Sequence, residues 1–180
     1  MIFQSRFVLC SLVAGAALAA TLAAVSADPA TLLGVNQGWS AFTSGSGSDK
    51  ICYALAKPAS SVPPKVKRDP IYFIITDWPG RSPRTKSEPE AVPGYQYKEG
   101  GTVTAQVGSD KFELFTQNEN SAGAAWVRKR PDEIRLVEAM KRGQQLIVTG
   151  ISRRGTVTHD TFSLAGLSDA LTKIHSACGM

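Results

Sequence analysis

Apolar and polar residues alternate along much of this chain, and the alternation is strand-like. Val103, Ala105 and Val107 share one parity, and Phe112 and Leu114 answer them across the turn Gly108-Ser109-Asp110. This predicts strands at 102–107 and 111–116. Trp39 to Phe42 reads as an earlier strand, ended by Ser44-Gly45-Ser46-Gly47-Ser48, with Lys50 to Lys57 as its hairpin partner. Ile71 to Thr76 is apolar on both parities, which predicts a central strand covered on both faces. Ala124 to Arg128 is a further short strand. Gln145–Ile151 and Thr156–Leu164 form a hairpin around Ser152-Arg153-Arg154-Gly155. Pro58, Pro63 and Pro64 interrupt pairing, since each lacks a donor. Residues 28–38 are weakly patterned, and 81–101 reads as a long edge excursion with one extended piece at Thr85-Lys86-Ser87.

The period changes to helical in two places. Asp132 reads as an N-cap, Ile134, Val137 and Met140 share a face, and Gly143 stands at the stop. Ser168 reads as the cap of a last helix with Leu171, Ile174 and Cys178 on one stripe. Many short strands with two short helices predict an all-β sandwich.

The N-terminus carries a different pattern. Arg6 precedes an apolar run from Phe7 to Ala24, and Val25-Ser26-Ala27 suits signal peptidase. The expectation is a leader at 1–27, removed on export, and one domain at 28–180 with no membrane span in the mature form. Such a domain buries roughly 70% of its unfolded surface. It is expected in the periplasm, at the outer membrane or at the cell surface. Cys10 falls inside the leader, which leaves Cys52 and Cys178. In an oxidising compartment they form one bridge, two free thiols or an intermolecular bridge. An internal bridge would remove chain entropy worth about 5 kcal/mol in the simplest treatment.

The formal net charge is +5. An exported protein seldom meets nucleic acid, so the expected partner for this charge is an unknown protein or an anionic envelope component, against plain solubility. The catalytic patterns are thin. His159 and Asp160 are strand neighbours and point opposite ways, so they form no oriented pair. His175 is placed on the exposed side of the last helix. No Gly-x-Ser-x-Gly elbow, Cys-x-x-Cys pair or phosphate loop occurs. No catalytic, cofactor or metal residue is therefore assigned, and no cofactor is expected. An envelope hydrolase acting on peptidoglycan or glycan through an unidentified carboxylate pair stands as the alternative.

Asp160 shares the parity of Phe162 and Leu164, so it faces the core and needs a cation. Arg153 or Arg154, across the hairpin, is the expected donor. Basic clusters at Lys65-Lys67-Arg68, Arg81-Arg84-Lys86 and Arg128-Lys129-Arg130 read as solvated loops. A partner-contact surface is expected at Trp78, Arg81, Arg84, Arg128 and Arg130, with Trp78 as the aromatic anchor.

Several segments carry a family resemblance: Lys50-Ile51-Cys52-Tyr53-Ala54-Leu55, Arg68-Asp69-Pro70, Gly94-Tyr95, Phe112-Glu113-Leu114-Phe115, Ala125-Trp126-Val127, 136–143 and 150–167. In order and spacing, the chain from Trp39 to Cys178 resembles the invasion-associated locus B family of Gram-negative envelope proteins. The resemblance implies an exported, single-domain, immunoglobulin-like antiparallel β-sandwich, to which the residue pattern adds one short internal helix and a C-terminal helix. It also implies a family role in promoting host-cell entry, and it supplies no catalytic residues. Trp78 to Pro93 departs most from the family pattern.

Overall fold

The computed structural model describes residues 29–64 and 66–180; the expected leader and Lys65 lie outside them. Eleven strands form one antiparallel ladder: β1 (Thr31–Asn36), β2 (Trp39–Ser44), β3 (Ile51–Ala56), β4 (Ser60–Val62), β5 (Tyr72–Trp78), β6 (Thr85–Val92), β7 (Val103–Val107), β8 (Asp110–Glu119), β9 (Ala122–Val127), β10 (Gln145–Ile151) and β11 (Val157–Ser163). Their spatial order is β1-β2-β3-β5-β6-β9-β8-β7-β10-β11-β4. Among the described residues there are two α-helices, α1 (Arg130–Arg142) and α2 (Leu167–Cys178), and one short 3-10 turn at Gly47–Asp49. This is the predicted all-β, sandwich-like fold with an internal and a C-terminal helix.

The ladder folds over on itself. Phe73 of β5 and Phe162 of β11 lie far apart in strand order, yet their rings meet edge to face with centroids 5.8 Å apart. Trp39 of β2 donates its Nε1–H to the Ser163 carbonyl at 2.9 Å. The inward residues Trp39, Ala41, Ala54, Phe73, Ile75, Leu114, Leu146 and Phe162 form the core. Burying such a set supplies most of the stability, at about 25 cal/mol per Å² of apolar surface.

α2 packs on the inner side, burying Leu167, Ala170, Leu171, Ile174 and Cys178. Gly166 precedes it at φ 87°, where a Cβ would collide with the Asn36 carbonyl. Cys178 is bonded to Cys52, with a Cα–Cα distance of 6.0 Å across 126 residues. Lys50 Nζ donates to the Ala177 carbonyl at 2.6 Å. Arg84 donates to the Cys178 and Gly179 carbonyls at 3.2 and 2.9 Å. Two cations thus sit at the negative end of the helix dipole, beside the disulfide.

Five expectations need correction. Residues 31–36 are a paired strand. β6 is an eight-residue strand between β5 and β9, although Pro89 lies within it and leaves only Glu90 and Ala91 paired to β9. α1 starts at Arg130 with Pro131 in its first turn, before Asp132, and Ile134 is 50% exposed while Leu136 and Ala139 are buried. Gly166, not Ser168, stands before α2. β5 is fully covered on one face and only partly on the other, where Tyr72 and Ile74 are half-buried and Thr76 is buried.

Candidate functional site

The outward face of the folded ladder is the first candidate. Cross-strand register aligns Ser40, Leu55, Ile74, Glu90, Trp126 and Phe115 in a row across β2, β3, β5, β6, β9 and β8. All six are half-buried. Five inter-strand spacings make this row about 24 Å long. Trp126 and Phe115 rings lie 5.9 Å apart, and the Arg128 guanidinium covers Phe115 at 4.6 Å. The next row begins with Phe42 and Tyr53, stacked at 5.2 Å. These side chains face out because their neighbours Ala41, Ala54, Ile75, Ala91 and Ala125 take the core positions. Glu90 stands in the middle of the row. Burial, then the charge of Glu88, pushes its carboxyl above the usual range.

The five residues expected at a contact surface divide into two groups. Trp78, Arg81 and Arg128 border this face. Arg81 stacks over Trp78 at 3.9 Å, and Glu88 accepts from both, from Trp78 Nε1 at 2.7 Å and from Arg81 at 2.8 Å. Arg84 and Arg130 are turned away from it. Arg84 caps α2, and Arg130 bonds Glu133 at 2.6 Å and the Lys86 carbonyl. The alternation reveals the row only when register is known, because the strands that carry it, β2, β3, β5, β6, β9 and β8, are neighbours in space but not in an unbroken run of sequence.

A second polar cluster lies on the inner side, where β5 and β6 meet α2. The Ser87 hydroxyl and His175 Nε2 are hydrogen-bonded across 2.8 Å, and the Ser87 backbone N–H donates to Asp77 Oδ1 at 2.8 Å. His175 Nε2 is 3.7 Å from that same carboxylate oxygen. Asp77 is fully buried, pairs across the ladder with Cys52, and its Oδ2 has no partner. His175 is therefore half-buried and hydrogen-bonded, not on an exposed helix face as expected. Serine, histidine and aspartate stand together, but not as a hydrolytic triad. Ser87 and Asp77 address the same ring nitrogen, so Asp77 cannot orient the imidazole while Nε2 takes a proton from Ser87.

Burial dominates both titrations here. It raises the Asp77 carboxyl to about 6, against smaller opposing effects of the Ser87 N–H, Lys86 and Arg130. It lowers the His175 imidazole to about 4, helped by the positive charges of Lys86 and Lys141. The 3.7 Å approach is thus not an ion pair between pH 4 and 6, where both groups are neutral. The linked stabilities oppose each other. A raised carboxyl favours the fold at low pH and loses that contribution as pH rises through 6. A lowered imidazole favours the fold at neutral pH and loses that contribution as pH falls toward 4. Asp77→Asn should leave the histidine slope, so its stability falls between pH 6.5 and 4 more steeply than that of the parent. His175→Gln should leave the carboxyl slope, with stability rising over the same range. Urea denaturation at pH 7 and 4.5 checks both signs.

The third site concerns Asp160. It is buried as its parity required, but its partner is Arg68, not Arg153 or Arg154. Arg68 grips both carboxylate oxygens at 2.6 and 2.8 Å, with the two side chains only 5% and 4% exposed. Arg68 also donates to the Pro93 carbonyl at 3.3 Å and lies 5.7 Å from the Tyr95 ring centre. The Tyr95 hydroxyl and Thr158 Oγ1 are 2.6 Å apart beside it. Arg153 and Arg154 occupy the exposed turn. The loop before β5 lays Arg68 over Asp160. Arg68 is therefore a buried clamp and not part of a solvated basic loop.

Among the described residues no group of three or more His, Cys, Asp or Glu side chains is placed to hold a metal ion. No helix among them is long and apolar enough to cross a membrane.

The chain matches no protein-family model and no curated protein. Its fold is similar to the crystal structure of invasion associated protein B from Bartonella henselae, with a TM-score of 0.56 at 12% sequence identity. The likeness spans 82% of this chain and 98% of that one, and it is a likeness of fold.

Proposed function

We propose that the chain is an exported, non-enzymatic binding protein of the Gram-negative envelope, of the invasion-associated locus B kind. Residues 1–27 are its leader, and 28–180 act in the periplasm or at the outer membrane. The outward row is the contact surface, with Trp78, Arg81 and Arg128 at its border, and its partner is a protein. The observation that carries this is the row itself. Trp126, Phe115, Ile74 and Leu55 spend apolar surface on no layer of their own fold. Tyr, Trp, Phe and Arg are the residues enriched where proteins meet. Support for export comes from the leader pattern and from the Cys52–Cys178 bridge, which belongs to an oxidising compartment.

The hydrolase alternative finds one carboxylate pair on this face, Glu88 and Glu90. They project side by side from β6, and Glu88 is committed to Trp78 and Arg81. Glycoside hydrolysis needs two carboxyl groups flanking the scissile bond. Neighbours on one strand of an open sheet do not flank a bond, and the geometry favours binding.

Trp126→Ala should leave the fold intact and weaken capture of the envelope partner at least about tenfold, the scale of a buried aromatic anchor. Retention of purified protein on isolated envelope fractions measures it. Unchanged retention by Trp126→Ala together with Phe115→Ala overturns the assignment. An impermeant label on intact cells separates a periplasmic protein from one that reaches a host surface.

A further inference from the structure

A cleft of about 350 Å³ opens between β6, α1 and α2, on the side of the molecule away from the outward row. Its walls are apolar, formed by Ile134, Val137 and Leu171. Its rim is basic, with Lys86, Arg130 and Lys141, and Glu138 is the one acid among the lining residues. Ser87 and His175 form the floor. Ile134 is 50% exposed in the middle of α1, at a position where a surface helix ordinarily carries a polar residue.

The cations are differently committed. Lys86 is exposed and its ammonium makes no hydrogen bond among the described residues. Lys141 holds Glu138 at 2.9 Å, but both side chains are 40% or more exposed, so the pair can be redirected at little cost. Arg130 is held by Glu133 and the Lys86 carbonyl, with its side chain 42% exposed. Ser87 adds a second signal: a serine at φ 57° is unusual, and such backbone gathers at functional positions.

We propose that this cleft binds a phosphate group carried on an apolar body, with Lys86, Lys141 and Arg130 holding the phosphate and Ile134, Val137 and Leu171 the body. A tetrahedral anion with several acceptor oxygens suits three cations on one rim better than a single carboxylate does. The site is separate from the protein-contact row and stands or falls without it. His175 reports on it. The groups facing the imidazole are Asp77 from β5, Lys86 and Ser87 from β6, and Lys141 from α1, with Glu138 and Arg130 on the cleft wall. Lys86 and Lys141 both push its proton off. An anion between them cancels that push.

The test follows the two imidazoles by NMR in the intact disulfide-bonded domain, in inorganic phosphate and in sodium chloride of equal ionic strength. His159, exposed on β11 and bonded to Thr149, is the internal control. Phosphate should raise the His175 pKa by about one unit and leave His159 in place. Lys86→Ala, an exposed substitution, should abolish the phosphate shift while the domain melts normally. Lys141→Ala should reduce it. Co-sedimentation with phosphatidylglycerol vesicles, against phosphatidylcholine, then names the source. Retention lost in Lys86→Ala identifies a lipid headgroup, and a phosphate shift without retention identifies a soluble phosphate ester. Equal movement of both histidines, or no movement of His175, overturns the proposal.

Discussion

Replacing Cys52 and Cys178 by alanine lowers stability by about 3–5 kcal/mol, and the melting temperature by roughly 10 °C or more for a domain of this size. The magnitude follows from the loop. The bridge spans 126 residues, nearly the whole described domain, so breaking it frees the longest loop this chain can close. The chain-entropy treatment gives about 5 kcal/mol for such a loop, and measured values for native bridges fall between about 2 and 5. The fold should survive in weakened form, because α2 keeps Leu167, Ala170, Leu171 and Ile174 buried. Lys50 and Arg84 also continue to hold its last carbonyls. Urea denaturation of the oxidised and reduced forms measures the effect. A difference below about 1 kcal/mol would mean that the helix is held by its packing alone.

Asp160→Ala should cost about as much, roughly 3–5 kcal/mol, because it leaves the Arg68 guanidinium buried without a counter-charge. The loss is the penalty of an orphaned charge and not the worth of the pair. Replacing both residues together, Asp160→Leu with Arg68→Met, should therefore recover most of it. Arg153→Ala and Arg154→Ala should each stay within about 0.5 kcal/mol, as surface changes do. Chemical denaturation of these variants, with Arg68→Ala beside them, separates the two assignments of the partner. If Arg153→Ala or Arg154→Ala destabilised more than Arg68→Ala, the observed pairing would be wrong.

The strands that sequence alone reveals are those whose two faces differ strongly. β7 and β8 bury Val103, Ala105, Val107, Phe112 and Leu114, while Thr104 and Gln106 between them are half-buried and Glu113 is exposed, so their alternation is plain. β10 and β11 show their hairpin through Gly155 and the apolar parities on either side. β6 is hidden because it inverts the signal. It buries Ser87, Pro89 and Ala91 and presents Glu88 and Glu90 outward, so neither hydrophobicity nor the proline rule marks it. Its neighbours supply the large side chains. β5 fails in the opposite sense. Tyr72 and Ile74 are apolar enough to suggest a second covering layer, and the structure leaves them facing out.

The sites divide along the same line. The inward face of Asp160 follows from period two, a local property. Its partner does not, since Arg68 lies 92 residues away and only the completed fold brings it there. His175, Asp77 and Ser87 come from three elements whose spacing carries no motif. The cleft rim likewise joins β6 to α1. Of the five residues expected at a contact surface, Trp78, Arg81 and Arg128 border the outward row proposed here as that surface, and register adds Trp126, Phe115, Ile74 and Leu55 to the proposal. Arg84 and Arg130 looked equivalent to the others in sequence, yet they fasten helices.

The central claim is that this domain is built to adhere through the outward face of its sheet. Photo-crosslinking in intact cells tests it most directly, with a photoreactive residue at Trp126 and, as control, at Arg154 in the exposed turn. Position 126 should give one discrete adduct and position 154 none, and the adduct should be lost when Phe115 and Ile74 are made polar. Equal adducts from both positions, or none from 126 in cells that export the protein, would contradict the claim.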